Sequence, residues 1–230
     1  MKNDSLKTIA DILGSGEFDR FIGMREDVYF EAKSSTPYEL KNPSGRYELA
    51  KDVSAFANTH GGYLVVGLKT TRLRNQPTDE VSSLDLIQAA SINTSTITGI
   101  IREHVYPPIE SLEVTWSPSK SGSATGLGFV FVPPQPNDKK LFIVTRIIEE
   151  DEVQKAIIVG VVRRVGSDNT PWLPRDIYEL IRKGNQTNTE RLTRMEAKLD
   201  ALLGRPTIPA PTGEDLTQFA RRLRELTGHS

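Results

Sequence analysis

The sequence predicts an α+β fold in which helices flank a mixed β-sheet. Two short apolar runs, over 63–68 and 156–162, have the length and residue types of buried strands. Between such runs lie segments whose apolar residues recur three or four positions apart, as amphipathic helices require. With 230 residues, the chain is long enough for one well-buried domain with tails. We therefore predict a single domain over 1–183.

The first half of this domain has the clearest pattern. At 28–33, Val28, Phe30 and Ala32 alternate with polar or amphipathic residues, which is typical of a half-buried strand. Gly61 and Gly62 follow an amphipathic stretch and can end a helix. The predicted elements are a helix over 4–14, a strand over 28–33, a helix over 47–59 and a strand over 63–68.

The second half is predicted from weaker signals. Residues 69–83 are polar and predict a loop. The remaining expectations are a helix over 84–104, strands over 110–116, 128–132, 141–148 and 157–165, and a short helix over 174–182.

Beyond residue 183 the composition changes. Leu192, Met195, Leu199 and Leu202 have the three–four spacing of a coiled coil, which predicts a short coiled-coil helix over 184–204. A proline-rich linker over 205–213 and an amphipathic helix over 214–230 follow. We expect a homo-oligomer formed through 190–203; the alternative is a helix that packs back on its own domain.

Composition narrows the chemistry. The chain has no cysteine and only three histidines, so a catalytic metal would need carboxylate ligands, which favours Mg²⁺ or Mn²⁺. No apolar run is long enough for a membrane span, and the N-terminus lacks the apolar core of a signal peptide. We expect a cytoplasmic protein without a membrane partner. The net charge of −1 neither favours nor excludes a nucleic-acid partner.

The most specific segment is 52–67, where a helix ends on paired glycines and turns directly into a strand. Asn58, Thr59 and His60 lie at this turn, where side chains and backbone amides can meet a ligand. On physical grounds alone, a helix cap is the favoured explanation of Gly61 and Gly62.

This segment resembles the signature of the Schlafen AlbA-like domain family. Residues 54–67 are similar to the family's SAFANT-x-GG-x-L-x-x-G pattern. Upstream, Glu26, Glu31 and Lys33 match its glutamate, four residues, glutamate, one residue, lysine pattern. Downstream, Arg164 to Ser167 match its R-x-G-S pattern, so the resemblance covers about residues 6–182.

The resemblance implies a nucleic-acid-binding domain for RNA or single-stranded DNA. In animal Schlafens the two matched glutamates and an aspartate form the active site of a metal-dependent endoribonuclease. Glu26 and Glu31 are therefore candidate catalytic and metal-binding residues, with Lys33 beside them to hold a phosphate. The third carboxylate is replaced near Lys69 and Thr70, which implies a partly degenerate nuclease site.

Three arginines and one asparagine are candidate nucleic-acid contacts. Arg72 and Arg74 follow the glycine-ended strand, Arg164 belongs to the matched pattern, and Asn58 lies at the turn.

Three functions follow from these patterns. The first is nucleic-acid binding with a degenerate nuclease site. The second is a metal-dependent endoribonuclease that uses Glu26 and Glu31, and the third is an oligomeric protein-interaction adaptor. A lower-ranked alternative for the catalytic set is the Asp…Glu-x-Lys arrangement of restriction-type nucleases, with Asp19, Glu31 and Lys33.

Overall fold

The computed structural model describes residues 2–72, 78–150 and 153–202 of the chain. These residues belong to two units, one ending at Asp176 and the other beginning at Ile177. The α-helices of the described residues are α1 (Lys2–Ser15), α2 (Pro43–Ala57), α3 (Thr94–His104) and α4 (Pro174–Leu202).

The strands lie between these helices, singly or in series, within the first unit. They are β1 (Phe30–Lys33), β2 (Gly62–Val66), β3 (Leu68–Thr71), β4 (Glu80–Leu84), β5 (Ile87–Gln88), β6 (Val105–Tyr106), β7 (Glu113–Ser119), β8 (Gly122–Val132), β9 (Ile143–Glu150), β10 (Val153–Gly160), β11 (Val162–Val165) and β12 (Asp168–Pro171).

The central sheet is mixed. Strands β1 and β2 run parallel, whereas β8 pairs antiparallel with β2, β5 and β7. Smaller sheets are formed by β6, β9 and β10, by β3 and β4, and by β11 and β12. This arrangement confirms the predicted α+β class.

Both faces of the central sheet are buried. Leu64 of β2 packs in a core with Phe56 of α2, whereas its neighbours Tyr63 and Val65 belong to a second core with Ile9 of α1. Because successive side chains of a strand point to opposite faces, a strand covered on both sides is apolar throughout. This explains the continuous apolar run at 63–66.

Two predictions between residues 69 and 104 were wrong. Residues 68–71 and 80–84 pair as a hairpin rather than forming a loop. Helix α3 begins only at Thr94, because Asn93 caps it by accepting a hydrogen bond from the Thr96 amide at 2.9 Å. The chain before that cap forms β4, β5 and a short turn of 3₁₀ helix.

Two further boundaries differ from the sequence prediction. The strand expected over 157–165 is two strands, β10 and β11, separated at Val161. The short helix expected over 174–182 and the coiled-coil helix expected over 184–204 are parts of one continuous helix, α4.

The domain boundaries themselves stay a prediction. The segments 205–213 and 214–230 lie outside the described residues. Within the described part of the chain, none of the helices combines the length and the apolar character that crossing a bilayer demands.

Candidate functional site

Strand β1 places two of the predicted site residues on the side of the sheet that carries α2. Phe30 and Ala32 pack in the core beneath α1, so Glu31 and Lys33 point the opposite way. Glu31 is only 7% exposed. Lys33 Nζ lies 2.5 Å from Glu31 Oε1.

Helix α2 contributes a third carboxylate, that of Asp52. Its Oδ2 accepts a hydrogen bond from the Tyr38 hydroxyl at 2.6 Å, and its Oδ1 accepts one from Asn169 Nδ2 at 2.7 Å. Lys33 Nζ lies 3.5 Å from Asp52 Oδ2. The lysine therefore bridges the carboxylates of Glu31 and Asp52.

Glu26 completes this cluster from the segment before β1. Its Oε1 accepts a hydrogen bond from the Ala32 amide at 3.0 Å, and its side chain is buried. Its own amide donates to the Asp79 carbonyl at 3.0 Å. The structure thus brings together the three predicted catalytic residues, Glu26, Glu31 and Lys33.

Arg164 lies behind the cluster rather than on its surface. Its side chain has no exposed area, and Nη1 forms an ion pair with Glu31 Oε2 at 2.5 Å. The other guanidinium nitrogens donate to the carbonyls of Asp27, Phe30 and Ser167. These partners all lie inside the domain, so the guanidinium of Arg164 stabilises the fold.

Asn58 is also placed inside the fold. Its Nδ2 donates to the carbonyls of Phe142 and Val162 at 2.8 and 2.9 Å, and its Oδ1 accepts from the Phe142 amide at 2.7 Å. Asn58 is 8% exposed. It therefore joins the end of α2 to the chain before β9 and to β11, apart from the carboxylate cluster.

Two adjoining surface depressions are lined by this cluster and connect it to solvent. One has a volume of about 390 Å³ and the other of about 430 Å³. We call them together the acidic groove. The side chains common to both are those of Glu26, Glu31, Lys33 and Asp79.

The two ends of the acidic groove differ. The first depression continues along Asp52, Asn169 and Arg72. The second continues along Lys69 and Thr70, the positions where the family's third carboxylate was expected. Six carboxylates and three basic side chains line the first depression, so negative charge dominates there.

The protein environment shifts the proton affinities of this cluster. Burial, and after it the neighbouring Glu31 carboxylate, raises the pKa of Glu26 to about 7. Burial also raises the pKa of Asp52, although Lys33 and Tyr38 oppose the shift. Burial alone would lower the pKa of Lys33, but the charges of Asp52 and Glu31 outweigh it and raise that pKa. Near neutral pH, Glu26 is therefore partly protonated.

The remaining predicted contacts lie at the groove or outside the described residues. Arg72 is 61% exposed and its Nε lies 3.0 Å from Asp79 Oδ1. Lys69 is 58% exposed and its Nζ lies 3.4 Å from Asp85 Oδ1. Arg74 lies outside the described residues. Asp19 lines a different depression, beside α1, so the restriction-type alternative that joined it to Glu31 and Lys33 is not assembled.

Carboxylate oxygens are the ligands that a hard cation prefers, but the carboxylates of this cluster are not arranged to bind one. The oxygens of Glu31 and Asp52 are engaged by Lys33, Arg164, Tyr38 and Asn169. Across residues 2–72, 78–150 and 153–202, no group of three or more acidic, histidine or cysteine side chains is arranged to hold a metal ion. In this conformation Glu31 and Asp52 pair with the protein cations Lys33 and Arg164 instead.

Asp52 is the residue that sequence reasoning could not assign. It is the nearest acidic residue to the matched pattern, but a helical position alone does not tell which way a side chain points. Asp52 lies one residue before Val53 and four residues before Phe56, which are both in the core. These spacings also do not distinguish a groove-facing aspartate from a solvated one.

Comparison with known proteins identifies the family of this chain. A family model described as Schlafen, AlbA_2 matches residues 26–173, from the first glutamate of the cluster to just before α4. Since the match covers more than half of the chain, the protein belongs to the Schlafen AlbA_2 family. Comparison with curated proteins gives no significant match.

One similar solved structure is the N-terminal domain of a putative ATP-dependent DNA helicase RecG-related protein from Nitrosomonas europaea. It is 18% identical in sequence, with a TM-score of 0.34, and the similarity covers 71% of this chain and 92% of that one.

Proposed function

We propose that this protein binds nucleic acid, RNA or single-stranded DNA, along the acidic groove. The observation that carries the proposal is the convergence of Glu26, Glu31 and Lys33 at one groove in a member of the Schlafen AlbA_2 family. The exposed cations Lys69 and Arg72 lie at this groove, where each can contact a phosphate.

Negative charge in the groove sets a condition for binding. Six carboxylates in one depression repel a phosphodiester chain. Mg²⁺ or Mn²⁺ carried with the nucleic acid, or protonation of Glu26, reduces this repulsion. Binding is therefore expected to strengthen when divalent cations are added and when pH falls through 7.

We favour binding over cleavage, because Lys33 and Arg164 already neutralise Glu31. The alternative is a metal-dependent endoribonuclease that uses Glu26 and Glu31, with Asp52 as the third carboxylate. It requires that Lys33 leave its position between Glu31 and Asp52, since a lysine there competes with a cation.

The proposal is tested by a mobility-shift titration of tRNA and of single-stranded DNA with the purified chain, in EDTA and in Mn²⁺. The double variant Lys69→Gln/Arg72→Gln should weaken binding by roughly tenfold and reduce the salt dependence by about two phosphate contacts. Lys120→Gln is the control, because Lys120 is 68% exposed and lies outside the groove.

The outcomes separate the three functions. Retention without cleavage supports the proposal. Cleavage in Mn²⁺ that disappears in Glu31→Gln supports the endoribonuclease. If neither polymer is retained at low salt, the protein-interaction adaptor replaces both.

Self-association through residues 190–203 is a separate proposal. It is supported by the exposed apolar side chains Leu192, Met195 and Leu199 on α4.

A cytoplasmic location is also proposed, and fractionation of the producing cells would test it.

A further inference from the structure

Helix α4 exposes an apolar stripe that is longer than the predicted coiled-coil segment. Tyr178, Ile181, Leu192, Met195 and Leu199 are 65%, 50%, 60%, 64% and 56% exposed. They fall at spacings that fit a single heptad register, with 178, 192 and 199 at a positions and 181 and 195 at d positions. One unbroken helix carries this register from the start of the second unit to Leu202.

The register also accounts for the polar side of the helix. Glu190 and Arg194, at f and c positions, form an i,i+4 pair with 3.6 Å between Arg194 Nη2 and Glu190 Oε2. Such a pair belongs on the face away from a seam. By sequence, one a position and one d position lie between Ile181 and Leu192, and both hold asparagine. The leucine-rich half at 192–202 therefore supplies most of the apolar seam.

The residues that flank the seam distinguish two orientations of a second copy. In the leucine-rich half, over 190–202, position g holds Arg191 and Lys198, and position e holds Glu196. In a parallel pair, g faces the e position five residues later in the partner, which sets Arg191 against Glu196 of the partner subunit. In an antiparallel pair, g faces g, which sets positive charges against each other.

We propose that α4 pairs in parallel with α4 of a second copy of this chain, through a seam over 178–202. Two reciprocal Arg191–Glu196 ion pairs flank the seam and fix the orientation. This inference rests on the self-association proposed above and is independent of nucleic-acid binding.

Sedimentation of the full chain at several concentrations tests the pairing itself. The variant Leu192→Asp/Leu199→Asp should be monomeric where the unaltered chain is dimeric. The control Thr193→Asp/Ala197→Asp adds the same two charges on the opposite face of the helix and should stay dimeric. A monomeric unaltered chain would overturn both the self-association and its orientation.

Charge reversal tests the orientation. In parallel pairing, Arg191→Glu and Glu196→Arg should each raise the dimer dissociation constant by on the order of tenfold, and mixing the two variants should restore it. In antiparallel pairing, Arg191→Glu would instead tighten the dimer, because it removes the repulsion between g positions.

A single introduced cysteine gives a second, independent readout, since the chain has none. Leu192→Cys should cross-link almost completely under mild oxidation, because parallel pairing sets position 192 against itself. Thr193→Cys, on the outer face, should not cross-link. A dimer in which Leu192→Cys fails to cross-link and Arg191→Glu tightens association would leave self-association standing and overturn the parallel orientation.

Discussion

At the scale of single residues, Arg164 holds the polar side of the groove in place. Its guanidinium lies 4.6 Å from the centre of the Phe56 ring and forms an ion pair with Glu31. A buried cation that loses its partner, or a buried carboxylate that loses its cation, is costly because neither is solvated. Arg164 therefore stabilises the domain and supplies the buried positive charge beside Glu31.

Replacing Arg164 should destabilise the first unit strongly. Arg164→Met removes the buried one of the two cations that pair with Glu31, together with the side-chain donor to three carbonyls, so we expect a loss of about 3–5 kcal/mol. Urea denaturation followed by circular dichroism measures it. Combining the change with Glu31→Gln should recover part of the loss.

Arg163 provides the matched control on the same strand. It is exposed and stacks over Trp172 at 5.6 Å, so Arg163→Met should cost less than about 1 kcal/mol. Equal losses for the two arginines would contradict the role assigned to Arg164.

Glu26 makes the stability of the domain depend on pH. Its pKa of about 7 in the folded state lies above the ordinary value for glutamate. The folded state therefore holds this proton at pH values where the unfolded state has lost it. The stability that this proton contributes is fully present below the ordinary pKa of glutamate, and it is lost as pH rises through 7.

The variant Glu26→Gln mimics the protonated side chain and should remove this dependence. At pH 8 we expect stabilisation of about 3 kcal/mol, which shrinks to about 1 kcal/mol at pH 5. Denaturation curves at the two pH values measure the difference. A destabilised Glu26→Gln at pH 8 would mean that the charged form is the one that the groove favours.

The residue types at this site could be predicted from the sequence, but their directions could not. Glu26, Glu31 and Lys33 were identified by their resemblance to the family pattern, and the fold brings them together. Arg164 and Asn58 fit the same patterns, yet their contacts are internal. Glu31 and Asn58 are 7% and 8% exposed, so burial alone does not separate these outcomes. They are separated by the groups that surround each side chain, many of which come from parts of the chain distant in sequence.

At the scale of elements, the turn between α2 and β2 links three parts of the fold. The Asn58 side chain donates hydrogen bonds to the carbonyl of Phe142, just before β9, and to the carbonyl of Val162 in β11. Thr59 Oγ1 accepts a hydrogen bond from the Arg164 amide at 2.9 Å. Gly61 has a φ of +73°, a conformation that favours glycine. A Cβ on Gly62 would lie 2.3 Å from the Phe56 ring. The glycine-ended pattern is thus explained by packing.

Asn58→Ala should therefore act on stability rather than on binding alone. It leaves three buried backbone groups without partners, which predicts a loss of roughly 2–4 kcal/mol. Thermal unfolding measures this loss, and nucleic-acid affinity measured below the transition should stay near that of the unaltered chain. A stable Asn58→Ala with lost affinity would support the ligand-contact role that the sequence predicted.

Elements with strong periodicity were predicted well, and those set by tertiary pairing were not. Helix α2 and strand β2 lie close to their predicted positions. The β3–β4 hairpin was missed because its polar strands, with Lys69 and Thr70, lack the apolar alternation of a core strand. Helix α4 was divided after residue 183 because the composition changes there, although the helix continues through Gly184.

At the scale of the whole molecule, the chain combines a groove in its first unit with an exposed apolar helix in its second. The net charge of −1 conceals this division, because the acidic lining of the groove is balanced by basic residues elsewhere. Composition could predict neither feature, since both depend on where charged and apolar side chains lie in the fold.

Site-directed photo-cross-linking tests the central claim, nucleic-acid binding in the acidic groove, most directly. The chain has no cysteine, so Ser167→Cys, in the wall of the groove, and Ser121→Cys, outside it, can each carry one photo-cross-linker. With labelled tRNA or single-stranded DNA and Mn²⁺, the account predicts strong cross-linking from position 167 and little from position 121. Equal cross-linking from both positions, or stronger cross-linking from position 121, would contradict it.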